Sequence, residues 1–177
     1  MVFGPILDAL NAQKRNVSAV QVISEGNRLV STRLPLPAKV AFWLTNIPYW
    51  ALATELCAGA SPQVAGPRAA HALAVAIVAG VSTAFHGSVL FGSVTSRWPV
   101  RLLKADITCA NSYGLVLAFL CGWSFALQNF GFPLLLLFGA ARSKRTGQIA
   151  QYAWLHGAWH ILSCAAMWRC LYAMPST

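Results

Sequence analysis

Residues 149–172 read IAQYAWLHGAWHILSCAAMWRCLY, and this stretch sets the class of protein that the chain can form. It is continuously apolar apart from a few polar groups, and Arg169 near its end is its one charged residue. A helix needs about 20 mostly apolar residues to cross the hydrocarbon core of a bilayer. The stretch therefore predicts a membrane-spanning helix, and this helix carries two histidines, His156 and His160.

The composition of the whole chain also indicates a membrane protein. Of its 177 residues, 57% are hydrophobic and 10% are charged, whereas soluble domains carry about 25% charged residues. This balance argues against a cytosolic enzyme, a disordered regulator and a disulfide-stapled secreted module. The net charge is +9, but the basic residues lie between apolar runs. We interpret them as loop charges that orient the chain, and we expect no nucleic-acid partner.

The apolar stretches predict an all-α integral membrane protein with about five transmembrane helices. The region of residues 102–141 is too long for one crossing, so we place a turn at its polar midpoint, from Gln128 to Pro133. A polar N-terminal arm, residues 1–38, precedes the bundle of residues 39–177. The predicted spans are about 40–59, 69–94, 102–124, 128–141 and 149–172.

The loop charges predict the orientation of the bundle. With five spans, eleven of the thirteen Lys and Arg residues fall on the side of the N-terminus. By the positive-inside rule this is the cytoplasm-, matrix- or stroma-like side, and an organellar inner membrane is one candidate location. In the arm, Phe3, Ile6, Leu7 and Leu10 have the spacing of a short interfacial helix, whereas residues 20–32 fit a small hairpin or a loop equally well.

Ionisable groups inside the predicted spans point to a functional site, because each costs roughly 2.5 to 3.5 kcal/mol in a bilayer. His156 and His160 are four residues apart, so they project from one helical face and can bind a single metal ion. Counting the helical rise from the positive side puts His86 and Asp106 at a similar depth. A third imidazole and a water would complete the open tetrahedral site of a catalytic zinc. The spans also contain Glu55 and His71, of which we interpret His71 as an interfacial residue.

Five of these residues resemble a known family pattern. Ser82 to His86 (Ser-Thr-Ala-Phe-His), Asp106 and the pair His156 and His160 resemble the SxxxH, Asp and HxxxH pattern of the CREST superfamily of membrane hydrolases. That superfamily includes the alkaline ceramidases and the adiponectin and progestin-type receptors. The resemblance implies zinc ligands at the three histidines and catalytic roles for Asp106 and Ser82, which would position a metal-activated water. It also implies hydrolysis of a lipid amide or ester, on a scaffold reduced from the seven spans usual in the family.

Other interpretations of the same residues remain open. The histidines and Asp106 could satisfy one another, or backbone carbonyls, in a packed bundle. A haem or a chlorophyll is a further candidate, although His156 and His160 share one face and an axial haem pair should not. In function, the alternative to a hydrolase is a non-catalytic accessory subunit of a respiratory or photosynthetic complex, held to its partner subunits by the arm. The five cysteines are predicted to be small core residues.

Overall fold

The computed structural model describes residues 19–59, 67–92 and 98–172, and every regular element within these ranges is an α-helix. This confirms the predicted all-α class. The helices, numbered along the chain, are α1 (Ala19–Arg33), α2 (Leu36–Leu44), α3 (Ile47–Ala58), α4 (Arg68–Phe91), α5 (Trp98–Cys121), α6 (Trp123–Arg145) and α7 (Ile149–Tyr172).

Two of the helices, α4 and α6, are long and apolar enough to cross a membrane. Only 17% of the most apolar part of α6 is buried inside the chain, whereas a core helix of a soluble protein is mostly buried. Other helices also expose large apolar side chains, including Phe119 and Trp154, each 81% exposed. The prediction of five spans goes beyond these two helices and stays a prediction.

The first predicted span is divided into α2 and α3 by a turn at Thr45 and Asn46. The side chains of both residues donate hydrogen bonds to carbonyl groups at the end of α2, from Thr45 Oγ1 to Phe42 (2.6 Å) and from Asn46 Nδ2 to Trp43 (3.0 Å). Pro48 lies in the first turn of α3, where its missing N–H costs no helical hydrogen bond. The short helix α2 thereby holds Phe42 inside the bundle, where it is 3% exposed.

The predicted turn from Gln128 to Pro133 is wrong, because the chain turns at Gly122 between α5 and α6. Gly122 has φ +84°, a backbone conformation that favours glycine. The polar residues of the predicted turn are instead accommodated within α6. Asn129 Nδ2 donates to the Phe125 carbonyl (2.8 Å), and Pro133 is buried inside the helix. Helices α5 and α6 therefore cover residues 98–121 and 123–145, in place of the predicted 102–124 and 128–141.

The end of the N-terminal arm forms helix α1, which is neither the hairpin nor the loop expected for residues 20–32. Val30 of α1 and Leu34, which follows the helix, are 0% and 6% exposed, because they pack into an apolar cluster with residues of α4, α6 and α7. Lys144 Nζ at the end of α6 donates a hydrogen bond to Asn27 Oδ1 of α1 (2.7 Å). The arm helix is thus packed onto the bundle. The interfacial helix predicted near the N-terminus lies outside the described residues.

The bundle interior consists of two apolar clusters with a polar layer between them. One cluster, which includes Phe42, Phe85 and Tyr152, lies toward the end of the bundle that carries α1. The other includes Tyr49 and Cys164 and extends toward the opposite end. The rings of the candidate metal ligands contact members of both clusters, so the candidate site lies between them.

Candidate metal centre

Three imidazoles from two helices meet inside the bundle. Helix α4 supplies His86, and α7 supplies His156 and His160, which lie one helical turn apart. Each histidine has one ring nitrogen in a group of three nitrogens that all lie within 4.8 Å of one another. These three residues could hold one metal ion, and they are the three that the sequence predicts as ligands.

The positions of the ring nitrogens fit a shared cation. His160 Nε2 and His86 Nε2 are 3.1 Å apart, which allows a hydrogen bond between them. Two nitrogens at 2.0 to 2.1 Å from one tetrahedral zinc would be about 3.3 Å apart, so the same placement suits two ligands of one ion. His156 Nε2 is buried and has no hydrogen-bond partner among the described residues. A buried polar atom in that state is costly, and metal coordination would satisfy it.

Aromatic side chains enclose the three histidines. His86 and His160 are each 1% exposed. The Phe42 ring of α2 packs against all three imidazoles, with its centroid 5.0 Å from that of His86 and 5.6 Å from that of His156. Bulk water is therefore excluded from this side of the cluster. A cation bound there would be held by neutral ligands in an apolar surrounding.

The predicted catalytic residues face each other from neighbouring helices, Ser82 from α4 and Asp106 from α5. Ser82 is one turn before His86 and is 3% exposed. Its hydroxyl interacts with the half-buried Asp106 carboxylate. The two do not form a regular hydrogen bond, because Ser82 Oγ lacks a hydrogen-bond partner within the described part of the chain. The Asp106 carboxylate does not join the three histidines in the group of ligand atoms that lie within 4.8 Å of one another, so Asp106 is not among the candidate ligands.

Two tyrosines at the site were not predicted from the sequence. The Tyr152 ring lies 5.2 Å from that of His156, and Tyr152 stands four residues before His156 on the same helix. This spacing is a usable signal, because residues four apart share a helical face. The Tyr49 ring packs against His160, and its hydroxyl is 2.6 Å from Ser163 Oγ. Since Tyr49 belongs to a different helix, no local pattern indicates its position.

Glu55 and His71, which the sequence analysis also places within the predicted spans, are engaged elsewhere. His71 is 5% exposed, and its Nδ1 is 2.9 Å from the Tyr113 hydroxyl. A neighbouring helix thus covers His71, and its interfacial depth in the membrane stays a prediction. Glu55 interacts with the hydroxyl of Tyr172 at the end of α7. Neither residue belongs to the histidine cluster.

Comparisons of the chain with protein families, with curated proteins and with solved structures find no match. The resemblance to the CREST superfamily, which depends on five residues and their order, therefore stays a prediction. The arrangement of the three histidines in the structure does not depend on this resemblance.

Close packing around Gly157, between the two histidines of α7, is open to a direct test. A Cβ atom at Gly157 would lie 3.1 Å from Thr45 Cγ2 in the turn between α2 and α3. We expect Gly157→Val to lower the free energy of unfolding by roughly 1 to 3 kcal/mol, because the added side chain overpacks this interface. The measurement is denaturant or thermal unfolding of the purified full-length chain in detergent.

Gly114→Val on α5 is the matched control, because a Cβ there meets nothing within 4 Å. We expect it to change the free energy of unfolding by less than about 1 kcal/mol. Equal stabilities of the two variants would contradict the close approach of α7 to the α2–α3 turn.

Proposed function

We propose that this chain is an integral membrane protein that binds zinc at His86, His156 and His160 and hydrolyses an amide or ester bond of a lipid. One observation carries the proposal: three ring nitrogens lie within 4.8 Å of one another inside an apolar helical bundle. Imidazole is a preferred zinc ligand, and three protein ligands with an open fourth position are typical of catalytic zinc.

The surface of the bundle supports a location in the membrane. Helices α4 and α6 have the length and composition of spans, and large apolar side chains such as Leu73 and Leu135 are 63% and 66% exposed. In water such a surface would drive aggregation, whereas lipid tails solvate it. Arg142, Lys144 and Arg145 end α6 on the same side of the bundle as α1. In the proposed orientation this is the positive side, which faces the cytoplasm, matrix or stroma.

The proposed chemistry divides between the metal and the polar residues beside it. His86, His156 and His160 would hold the zinc ion, which would acidify a water and polarise a carbonyl group. Ser82 Oγ has unused hydrogen-bonding capacity and orients the attacking water. The Asp106 carboxylate, which faces Ser82, accepts a proton from a water and delivers it to the leaving amine or alcohol. The helical bundle excludes bulk water from the site.

A second candidate function is favoured by Phe42. Its ring covers all three imidazoles, so the cluster is closed on the side of α2. A metal ion covered in this way fits a structural role, because a substrate cannot approach it from that side. In this alternative the metal only stabilises the bundle, and the chain is a non-catalytic accessory subunit of a larger membrane assembly.

Metal content tests the part of the proposal that both candidates share. We expect the purified full-length chain to retain about one zinc ion, as measured by inductively coupled plasma mass spectrometry. Each of the variants His86→Ala, His156→Ala and His160→Ala should lower zinc affinity at least tenfold, because it removes one of three ligands. The control is His71→Ala, which removes a buried histidine outside the cluster and should keep the metal.

A zinc content that is the same in His156→Ala as in His71→Ala would overturn the metal site. Thermal unfolding of every variant, with and without added zinc, separates loss of the ligand from loss of the fold. Zinc should raise the midpoint of the native chain and of His71→Ala, but not that of the three ligand variants.

Turnover separates the two candidate functions. We expect zinc-loaded protein to hydrolyse a fluorescent lipid amide or lipid ester in mixed micelles. Asp106→Asn should retain zinc and lower turnover by about 10² to 10⁴, because it removes the proton acceptor. Ser82→Ala should also retain zinc and lose turnover, to a smaller extent. Asn111→Ala, an exposed polar position on the same helix as Asp106, should leave turnover unchanged.

A zinc-loaded native chain without turnover on either class of lipid would contradict the hydrolase and favour the accessory subunit. Full turnover in Asp106→Asn would leave hydrolysis possible but would overturn the role of Asp106.

A further inference from the structure

Two cysteines from different helices meet at one end of the bundle. Cys121 is the last residue of α5, and Cys170 lies in the last turn of α7. Their sulfur atoms are 3.7 Å apart. A disulfide bond needs about 2.05 Å, so the two sulfur atoms must approach each other before they can be linked. We propose that Cys121 and Cys170 form a reversible disulfide that joins the ends of α5 and α7.

The position of the pair along the helices places it opposite the basic end of the bundle. Helix α7 begins beside the basic end of α6 and runs away from it, so Cys170 lies at the far end. Helix α5 reaches that same end at Cys121 before the chain turns at Gly122. In the proposed membrane orientation, the basic side is the reducing side and the opposite side faces the oxidising compartment. This step rests on the proposed function, whereas the sulfur–sulfur distance does not.

The two thiols differ in exposure, and this difference sets the order of the reaction. Cys121 is partly exposed beside the exposed turn residue Gly122, whereas Cys170 is 0% exposed. The oxidant is a disulfide, either a small one such as oxidised glutathione or that of an oxidoreductase. The Cys121 thiolate attacks it, forms a mixed disulfide and releases one thiolate of the oxidant. The Cys170 thiolate then attacks Cys121 Sγ and releases the second. The two cysteines lose two protons and two electrons, and the oxidant disulfide is reduced to two thiols.

This pair changes the interpretation of the cysteines as small core residues. Cys164 and Cys170 are buried, as expected, but Cys57 is exposed and Cys121 is partly so. Cys57 lies near the end of α3, at the same end of the bundle as the pair. It is therefore the competing thiol, and Cys164 is the buried control.

The cross-link would restrain the helices that carry the candidate site. Helix α7 contributes His156 and His160, and α5 contributes Asp106. The site lies toward the middle of both helices, and the disulfide would fix their ends to each other. It would thus limit the separation of α5 and α7 without touching the metal ligands.

The test is thiol counting and disulfide mapping on the purified full-length chain. After incubation with oxidised glutathione, unfolding in denaturant and alkylation with a maleimide, three of the five cysteines should react, and all five should react after reduction. Mass spectrometry of an unreduced digest should identify a linked peptide pair containing Cys121 and Cys170. Cys121→Ser and Cys170→Ser should each abolish the link, and Cys164→Ser should retain it. Reduction should lower the unfolding midpoint of the native chain by about 5 °C or more.

Alkylation of all five cysteines in the oxidised native chain would overturn the proposal, as would a link from Cys57 to either partner. The native chain supplies this result even if a serine variant does not fold. The same mapping in His156→Ala separates the two proposals, because the link there should form whether or not zinc is bound.

Discussion

The central constraint on this fold is the burial of three imidazoles in an apolar bundle. His86 and His160 can share a hydrogen bond through their Nε2 atoms, but His156 Nε2 and His160 Nδ1 are buried and without a partner among the described residues. Leaving such an atom unsatisfied costs about 1 to 3 kcal/mol, so the arrangement is stable only if the surrounding packing or a bound cation offsets that cost. Phe42 and the close approach at Gly157 hold the rings together. A metal ion shared by the three imidazoles would offset that cost.

The arm helix α1 extends this constraint to the N-terminal part of the chain. Lys144 donates a hydrogen bond to Asn27 of α1, and its ammonium group lies 5.2 Å from the centre of the Tyr152 ring. The Tyr152 ring in turn packs against His156. A cation over an aromatic face is stabilising, and more so where water is excluded. A continuous series of side-chain contacts therefore connects α1 to His156. Displacement of α1 would disturb the packing around His156.

The parts of the structure that could be predicted from the sequence are those that local spacing determines. Four residues separate His156 from His160, and this alone places both imidazoles on one face of α7. The sequence does not predict the turn at Gly122, because this residue gives no strong local signal, while Asn129 has the character of a turn residue yet forms its hydrogen bond within α6. Residues 20–32 form a helix because tertiary packing of Val30 overrides an ambiguous local pattern. Contacts between separate helices, such as that of Tyr49 with His160, depend on the tertiary fold and cannot be predicted from local spacing.

The most direct measurement of the central claim is X-ray absorption at the zinc edge on the zinc-loaded full-length chain. The account predicts three imidazole nitrogens at about 2.0 to 2.1 Å from the metal, with a light oxygen or nitrogen atom as the fourth neighbour. The multiple-scattering signal of imidazole should weaken by about one third of its amplitude in His156→Ala, if that variant still binds metal. Sulfur neighbours at about 2.3 Å, or a metal shell without imidazole scattering, would contradict a site built from His86, His156 and His160.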